Sequence, residues 1–508
     1  MPAPSSHLLR PRLAGLCCAL ALALAGCAVG PDYRRPAVDM PAAFKEAAGW
    51  KAAAPRDDLP RHAWWTVYSD PTLDGLMAQV EISNQNVAQY TAKYAQARAL
   101  ADQARASLFP SLTGSAAATR SADGSDGTSA GTSSARSASR VANSVSASLG
   151  LSWELDLWGK LRRTREENQA SAQASAADLA NATLSAQSSL AQDYFSLRIL
   201  DERINLYEQT IQAYEKYLRI IENKYADGQV SSSDVAQARN QLESARASVQ
   251  DLAWQRAQYE HAIAILAGRA PAAFGLPRAI GAALRVPDIP VGLASALLER
   301  RPDIASSERA VAAANAAIGV ATAAYFPDLT LSASGGFQGS SASKLFTVPS
   351  RFWSIGPSFG QTLFDFGATR AQVAQARAGY DAAVASYRQT VLTALGEVED
   401  YLVKLRTLDG ELVSQQRATA AAIESARVTR DQYEEGMIDY LDVATTQATS
   451  LNAQQSLWEL QGAQLATSVQ LIAALGGGWR QDGAQAGGDT DAGADGDPAG
   501  PKAAPRVL

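Results

Sequence analysis

The sequence predicts a mostly α-helical chain with a small β part, built from four strands and two long coiled helical hairpins. Three observations carry this. From Lys160 to Asp227 there are 68 consecutive residues without glycine or proline, enough for roughly 100 Å of helix at 1.5 Å per residue. Two stretches alternate apolar residues with serine and glycine at period two, as half-exposed strands do. The same elements also occur twice, in the same order.

The N-terminus comes first. Arg10 and Arg12 precede an apolar run from Leu13 to Ala25. That run is too short for a bilayer, which needs about 20 residues. A basic flank, a short apolar core and small residues describe a secretory signal peptide over 1–26. Leu24-Ala25-Gly26-Cys27 resembles the bacterial lipobox, which makes Cys27 the expected lipid-bearing residue and 27–70 a lipidated N-terminal segment. Ala28 follows, rather than the aspartate that retains many lipoproteins in the inner membrane, so the expected address is the outer membrane. Cys17 and Cys18 fall in the segment to be removed, so the mature chain is expected to carry no disulfide and no thiol nucleophile. Only His62 and His261 remain as histidines there, which argues against zinc or copper sites. No cofactor is expected beyond the covalent lipid. A formal charge of −6 gives no case for a nucleic-acid partner.

The first repeat spans 71–270. Residues 72–108 hold one glycine, Gly75, and no proline, and are expected to form a single helix that ends at Phe109-Pro110. A strand hairpin follows over 111–157. Its second strand places Val141, Val145, Ala147, Leu149, Leu151, Trp153 and Leu155 on one parity, and Ser144, Ser146, Ser148, Gly150 and Ser152 on the other. Residues 121–140, rich in Gly, Ser, Asp and Thr, are the expected exposed loop. A helical hairpin covers 160–267. Leu197, Leu200, Ile204, Tyr207, Ile211, Tyr214, Leu218, Ile221 and Tyr225 step by three and four, the spacing of left-handed supercoiling. The hairpin turns at Gly228, which suits a left-handed residue ending a helix.

A connector at 271–300 leads to the second repeat, 301–478. Arg301, Pro302 and Asp303 read as a helix start with proline in its first turn. Phe109-Pro110-Ser111-Leu112 recurs as Phe326-Pro327-Asp328-Leu329, and Leu155-Asp156-Leu157-Trp158-Gly159 as Phe364-Asp365-Phe366-Gly367. The second strand hairpin covers 328–366, where Trp353, Ile355, Phe359 and Leu363 alternate with Ser354, Gly356, Ser358 and Gly360. Pro357 inside this strand suggests a local bulge, since proline cannot donate to a ladder. The second helical hairpin, 368–475, lacks proline and turns at Gly436. Residues 479–508 are Gly, Ala, Asp and Pro and are expected to be disordered.

No apolar run is long enough for a transmembrane helix, yet the chain carries a membrane address. The remaining spanning solution is a closed β-barrel, because lipid satisfies no backbone polar group. Closed barrels begin at about 8 strands. Four strands must therefore be pooled between subunits, and two, three or four copies would give 8, 12 or 16.

Three motifs carry a family resemblance: Val29-Gly30-Pro31-Asp32-Tyr33, Glu299-Arg300-Arg301-Pro302-Asp303-Ile304, and Ala474-Leu475-Gly476-Gly477-Gly478-Trp479. Over about 27–480 the chain resembles the TolC-like outer-membrane factors, and within them the NodT-type efflux lipoproteins. The resemblance implies a homotrimer with a 12-stranded β-barrel in the membrane, continued by a 12-helix α-barrel. It implies docking to a periplasmic adaptor (membrane-fusion) protein and, through it, to an inner-membrane pump of the resistance–nodulation–division type. The duct itself would be passive, carrying small toxic compounds.

In that family the helix-turn tips form the closed entrance and meet the adaptor; here they are 225–235 and 433–443. Tyr433, Tyr440 and Leu441 match positions that narrow the entrance, although Tyr433 also fits simple heptad packing. Ser231 with Asp234, and Asp439 with Asp442, have capping-box spacing. Asp234 and Asp442 either favour helix N-termini or line an acidic ring at the entrance, and both roles can coexist. Many efflux members place an acid and an arginine one to two turns beyond the Tyr-Leu pair. Thr445 and Ala448 stand there instead, leaving the outer turn to hold the gate. Trp153, Trp158 and Trp353 lie near strand ends, as an interfacial girdle requires, and Trp64 and Trp65 are expected to pack on the helical body.

Three rival readings fit less well. A standalone porin leaves the heptad helices unexplained, and a pore-less coiled-coil scaffold leaves the strands unexplained. An enzyme fits least: the mature chain keeps no cysteine beyond Cys27, His62 lies far in sequence from His261 and from any Gly-x-Ser-x-Gly turn, and no phosphate-cradling loop occurs. Cargo chemistry is not written in the chain, and no methionine cluster points to copper.

Overall fold

The computed structural model describes residues 28–41, 43–47, 63–123, 140–281, 284–287, 289 and 300–477. The expected signal peptide, Cys27, His62, the centre of the first strand loop, Trp479 and the C-terminal tail lie outside the described residues.

Helix α1 runs Pro71–Ser83 and α2 Gln85–Ala106. Strands β1 (Ser111–Asp123) and β2 (Arg140–Leu155) follow, then α3 (Lys160–Ala226) and α4 (Ser232–Leu266). The second half repeats this with α5 (Pro302–Ala323), β3 (Asp328–Gly339), β4 (Arg351–Gly360), α6 (Ala368–Glu434) and α7 (Tyr440–Ala474). The long helices α3 and α6 each have 67 residues, and α4 and α7 each have 35. Their starts are offset by 368 − 160 = 208 residues.

One expectation fails at once: 72–108 is not one helix. It breaks at Asn84, which ends α1 and caps α2, its side chain accepting from the Asn86 and Val87 amides at 2.9 and 3.1 Å. The same side chain donates to Leu266 O at the end of α4, at 2.8 Å. A tertiary contact thus breaks a segment that local propensity would continue.

The four strands form one antiparallel sheet in the order β1-β2-β3-β4. The register is continuous: Leu112 pairs with Leu151, Leu151 with Ala333, and Ala333 with Ile355. The adjacent row is Thr113, Gly150, Ser334 and Ser354. Because side chains alternate across a strand, one face is apolar and the other small and polar. On the polar face Ser115 and Ser148 hydroxyls meet at 2.8 Å, as do Ser334 and Ser354. On the apolar face Trp353, Ile355 and Phe359 stand exposed. Pro357 pairs with Leu331 in unbroken register, so no bulge forms; β4 is an edge strand of the sheet, where proline is tolerated.

The helical core lies beneath the sheet and joins both repeats. Trp64, Trp65, Leu73 and Met77 pack with Leu190, Tyr194 and Leu197 of α3, Ile263 of α4, and Leu465 and Val469 of α7. Both tryptophans are buried as expected, and Trp64 Nε1 donates to Gln187 Oε1 at 3.2 Å. A second cluster gathers Ile304 and Val311 of α5, Tyr387, Val391 and Leu402 of α6, and Leu471 of α7. Toward the far end of the hairpins the interior narrows to a single layer, with Tyr214 of α3 against Leu242 and Ala245 of α4.

Candidate functional site at the helical tips

The turn between α3 and α4 closes by a Schellman arrangement. Gly228 adopts φ 72°, and the amides of Gly228 and Gln229 donate to Tyr225 O and Lys224 O at 3.0 and 2.8 Å. The α6–α7 turn repeats it: Gly436 has φ 76°, and Met437 N donates to Gln432 O at 2.9 Å. Glycine adopts this left-handed backbone without steric cost.

The two caps that follow are unequal. Ser231 and Asp234 form a complete capping box, with Ser231 Oγ accepting from Asp234 N at 3.3 Å and Asp234 Oδ2 accepting from Ser231 N at 3.0 Å. Asp439 is the N-cap of α7 but makes no side-chain cap, and only its carbonyl meets Asp442 N, at 3.2 Å. The expected second box is absent. Asp439 and Asp442 are exposed, and Asp442 only places a negative charge in the first turn of α7.

Beneath the turns a small core forms from both hairpins: Ile221 and Ala238 from one, and Tyr433, Tyr440, Val443 and Ala444 from the other. Tyr433 and Tyr440 meet edge to face, their ring centroids 5.8 Å apart. Lys224 Nζ lies 4.5 Å from the centroid of the Tyr433 ring. Tyr440 Oη donates to Gln241 Oε1 at 3.0 Å, and Gln241 Nε2 donates to Ala444 O at 2.8 Å, which ties α4 to α7. Burial raises the Tyr440 phenol above its ordinary range. Tyr433 Oη is buried without a partner, and burial raises its pKa first, with the Asp234 charge adding to it. Both tyrosines therefore pack inside the protomer, whereas Leu441 is exposed. Thr445 and Ala448 lie exposed further along α7.

The three motifs lie away from the tips, the first at the start of α3 and the other two beside Glu397 of α6 and Leu184 of α3. Arg163, nearly buried at the start of α3, donates to Val29 O, Gly30 O and Asp32, and pairs with Glu166 at 2.7 Å. Val29 N donates to Trp158 O at 2.9 Å. Ala28, the first described residue, lies against Gly159 where β2 gives way to α3. Tyr33 donates to Glu308 at 2.6 Å. Arg301 does more than start a helix: its Nη1 donates to Glu397 at 2.7 Å and to Ala474 O at 3.2 Å, so it caps the end of α7 as Asn84 caps α4. Gly476, at φ 95°, leaves no room for a Cβ, which would lie 2.3 Å from Arg300 O. Asp156 and Asp365 in the doubled Leu-Asp-Leu and Phe-Asp-Phe motifs bind the first amides of the long helices, Leu161 N at 3.0 Å and Thr369 N at 2.7 Å. Their duplication was the sequence signal for that role. Trp153 and Trp158 donate to Leu108 O and Pro327 O at the helix end of the sheet, while Trp353 stands exposed at its opposite end.

A family model described as outer membrane efflux protein matches residues 76–269 and 293–477, one segment in each repeat. The chain belongs to the outer membrane efflux protein family. The cation efflux system protein CusC of Escherichia coli is similar at 28% identity over 466 residues, covering 91% of this chain and 98% of CusC. The pyoverdine export outer membrane protein OpmQ of Pseudomonas aeruginosa is 31% identical, covering 85% of this chain and 90% of OpmQ. Among solved structures, the outer-membrane channel OprN superposes with a TM-score of 0.80 at 30% identity, over 89% of this chain and 99% of that one. This efflux protein is thus an outer-membrane channel component of an export system that includes adaptor and pump partners.

Proposed function

We propose that this efflux protein works as a homotrimer whose three sheets close a twelve-stranded barrel, continued by a barrel of twelve helices. The observation that carries this is the sheet itself: four strands, one apolar and one hydroxyl-lined face, and open edges at β1 and β4. An open edge in hydrocarbon leaves unsatisfied amides and carbonyls, each costing several kcal/mol. Pairing β4 of one copy with β1 of the next removes every such edge. Gly336 supports a curved wall: a Cβ there would lie 2.3 Å from Ala147 O, so β2 and β3 approach closely on the polar side.

The lumen would be lined by Ser, Thr, Gly and Gln and would perform no catalysis. Small toxic compounds would pass through it passively, and selection among them would rest with a proton-driven pump of the resistance–nodulation–division type and its periplasmic adaptor. The tips carry the entrance. Leu441, Asp439 and Asp442, exposed on each protomer, are the groups free to meet neighbouring protomers or an adaptor. Tyr433 and Tyr440 hold their shape, and Gly228, Gly436 and Asp234 fix the turns. Cys27, lipidated after removal of 1–26, would tether the chain one residue before the Ala28–Gly159 contact, at the membrane end of α3.

Native mass spectrometry of the detergent-extracted protein tests this, with a trimer of mature lipidated chains expected. Deletion should sensitise cells to toxic compounds, with rescue by the wild-type gene. A single copy as the stable species in membranes would refute the shared barrel.

A further inference from the structure

The apolar face of the sheet is not uniform. Gly114, Leu149, Gly335 and Trp353 form one row across the four strands, so two glycines flank a leucine where neighbouring rows carry side chains. The result is a notch floored by Gly335 and Gly114, with the Leu149 side chain leaning toward Gly114 and Ala116 and Ala147 beside it. Phe337 and Trp353 form its walls, and Phe346 from the β3–β4 loop closes it, packing edge to face on Phe337 at 5.3 Å. That loop is held in place: Leu345 is buried, and Thr347 and Ser350 hydroxyls donate to Lys344 O at 2.7 and 3.1 Å.

Arg351 lines the same notch and is exposed. It lies on the apolar-face parity, in the row of Phe337, Ala147 and Ala116, toward the end of the sheet away from the helices. Among the described residues neither Arg351 nor Lys344 of the adjoining loop makes an ion pair. No aspartate or glutamate occurs in 112–122, 141–153 or 329–363, while Arg120, Lys344 and Arg351 do. Of the acids of the sheet, Glu154 and Asp328 are at its other end, paired with Lys160, and Asp123 closes β1 directly across from Arg140 on β2. An unpaired guanidinium at the mouth of an apolar notch is a poor arrangement for hydrocarbon alone and a good one for an acyl chain ending in an anion.

We propose that this notch binds a phosphate-bearing, acylated lipid of the leaflet facing away from the periplasm. An acyl chain would lie over Gly335 between Phe337 and Trp353, and a head-group phosphate would accept from Arg351, with Lys344 close by. One site per protomer follows, on the outer wall of the barrel, so the inference rests on the trimeric reading above.

The test is native mass spectrometry of delipidated trimer incubated with bis-phosphorylated lipid A, or with the same glycolipid after enzymatic removal of its phosphates. Up to three bound lipids per wild-type trimer are expected. Dephosphorylation or Arg351→Gln should each weaken binding about tenfold, as loss of a charge-assisted contact does. Gly335→Leu, which fills the notch, should weaken binding of both lipids. Equal binding of phosphorylated and dephosphorylated lipid, or unchanged binding in Arg351→Gln, overturns the site. Because the same spectra report subunit number, an intact trimer without lipid defeats this inference alone. A monomer defeats the shared barrel instead.

Discussion

Asp201 is the most informative single position in the helical body. Its side chain is fully buried and accepts from Arg256 Nε at 2.6 Å, from Arg198 Nη1 at 3.2 Å and from Ala279 N at 3.2 Å. The two arginines also hold the chain after α4: Arg198 donates to Pro277 O at 2.9 Å and Arg256 to Leu276 O at 2.7 Å. Glu260 accepts from Leu276 N, and Glu202 from Gly281 N. Asp201→Asn keeps the shape and removes the charge. Two guanidiniums, 4% and 12% exposed, then lose their shared counter-ion. Breaking a buried pair in this way costs about 3–5 kcal/mol. The loss falls first on the 276–281 segment, whose remaining tethers are Glu260 on Leu276 N, Glu202 on Gly281 N and the exposed Arg278–Glu208 pair. At 1.4 kcal/mol per tenfold, amide exchange at Leu276, Ala279 and Gly281 should accelerate by roughly 10²–10³. Hydrogen exchange by mass spectrometry on the detergent-solubilised protein reads this peptide directly, with the α6–α7 tip as internal control. An acceleration below about threefold would show that the cluster does not hold the segment, and that packing alone does.

Three further outcomes follow from the same geometry. Tyr440→Phe should lower stability by about 1 kcal/mol through loss of the Gln241 hydrogen bond, while Tyr433→Phe should be neutral or stabilising because its hydroxyl has no partner; apparent melting temperatures at one scan rate compare them. Ser231→Ala should cost about 1 kcal/mol and Asp439→Ala almost nothing, since only the first is a formed cap; proteolytic nicking of each tip distinguishes the two. Desolvation raises Asp193 to about 6 from an ordinary 3.8, so the folded state holds its proton more tightly than the unfolded one. Its penalty is therefore absent below about pH 4 and complete above about pH 6. Asp193→Asn should stabilise the protein at pH 7.5 by about 1 kcal/mol after allowance for solvent screening, and not at pH 4; a pH series of melting curves showing the same shift at both ends would contradict this.

The periodic features were legible in the chain. An uninterrupted run without glycine or proline can hardly be anything but helix, and α3 and α6 begin and end at the doubled motifs. Strict alternation assigned the two faces of the sheet, and Gly228 and Gly436 marked the turns. These signals are local: they depend on φ/ψ preference and on which residues share a face. The heptad ladder was also sound, with Leu197, Leu200, Ile204, Tyr214 and Ile221 all buried, while Tyr225 at its end is half exposed.

What tertiary structure decided is where polar groups found partners. Asn84 ends one helix and starts another because its amide reaches Leu266 O across 182 residues of sequence. Arg301 caps α7 from 173 residues away, and Arg163 holds Val29 and Gly30 from more than 130. Asp439 has the right spacing for a capping box, yet its side chain makes no cap. Spacing along the chain states which bonds are possible. Burial decides which must form, because a polar group removed from water needs a partner from whatever element the fold brings beside it.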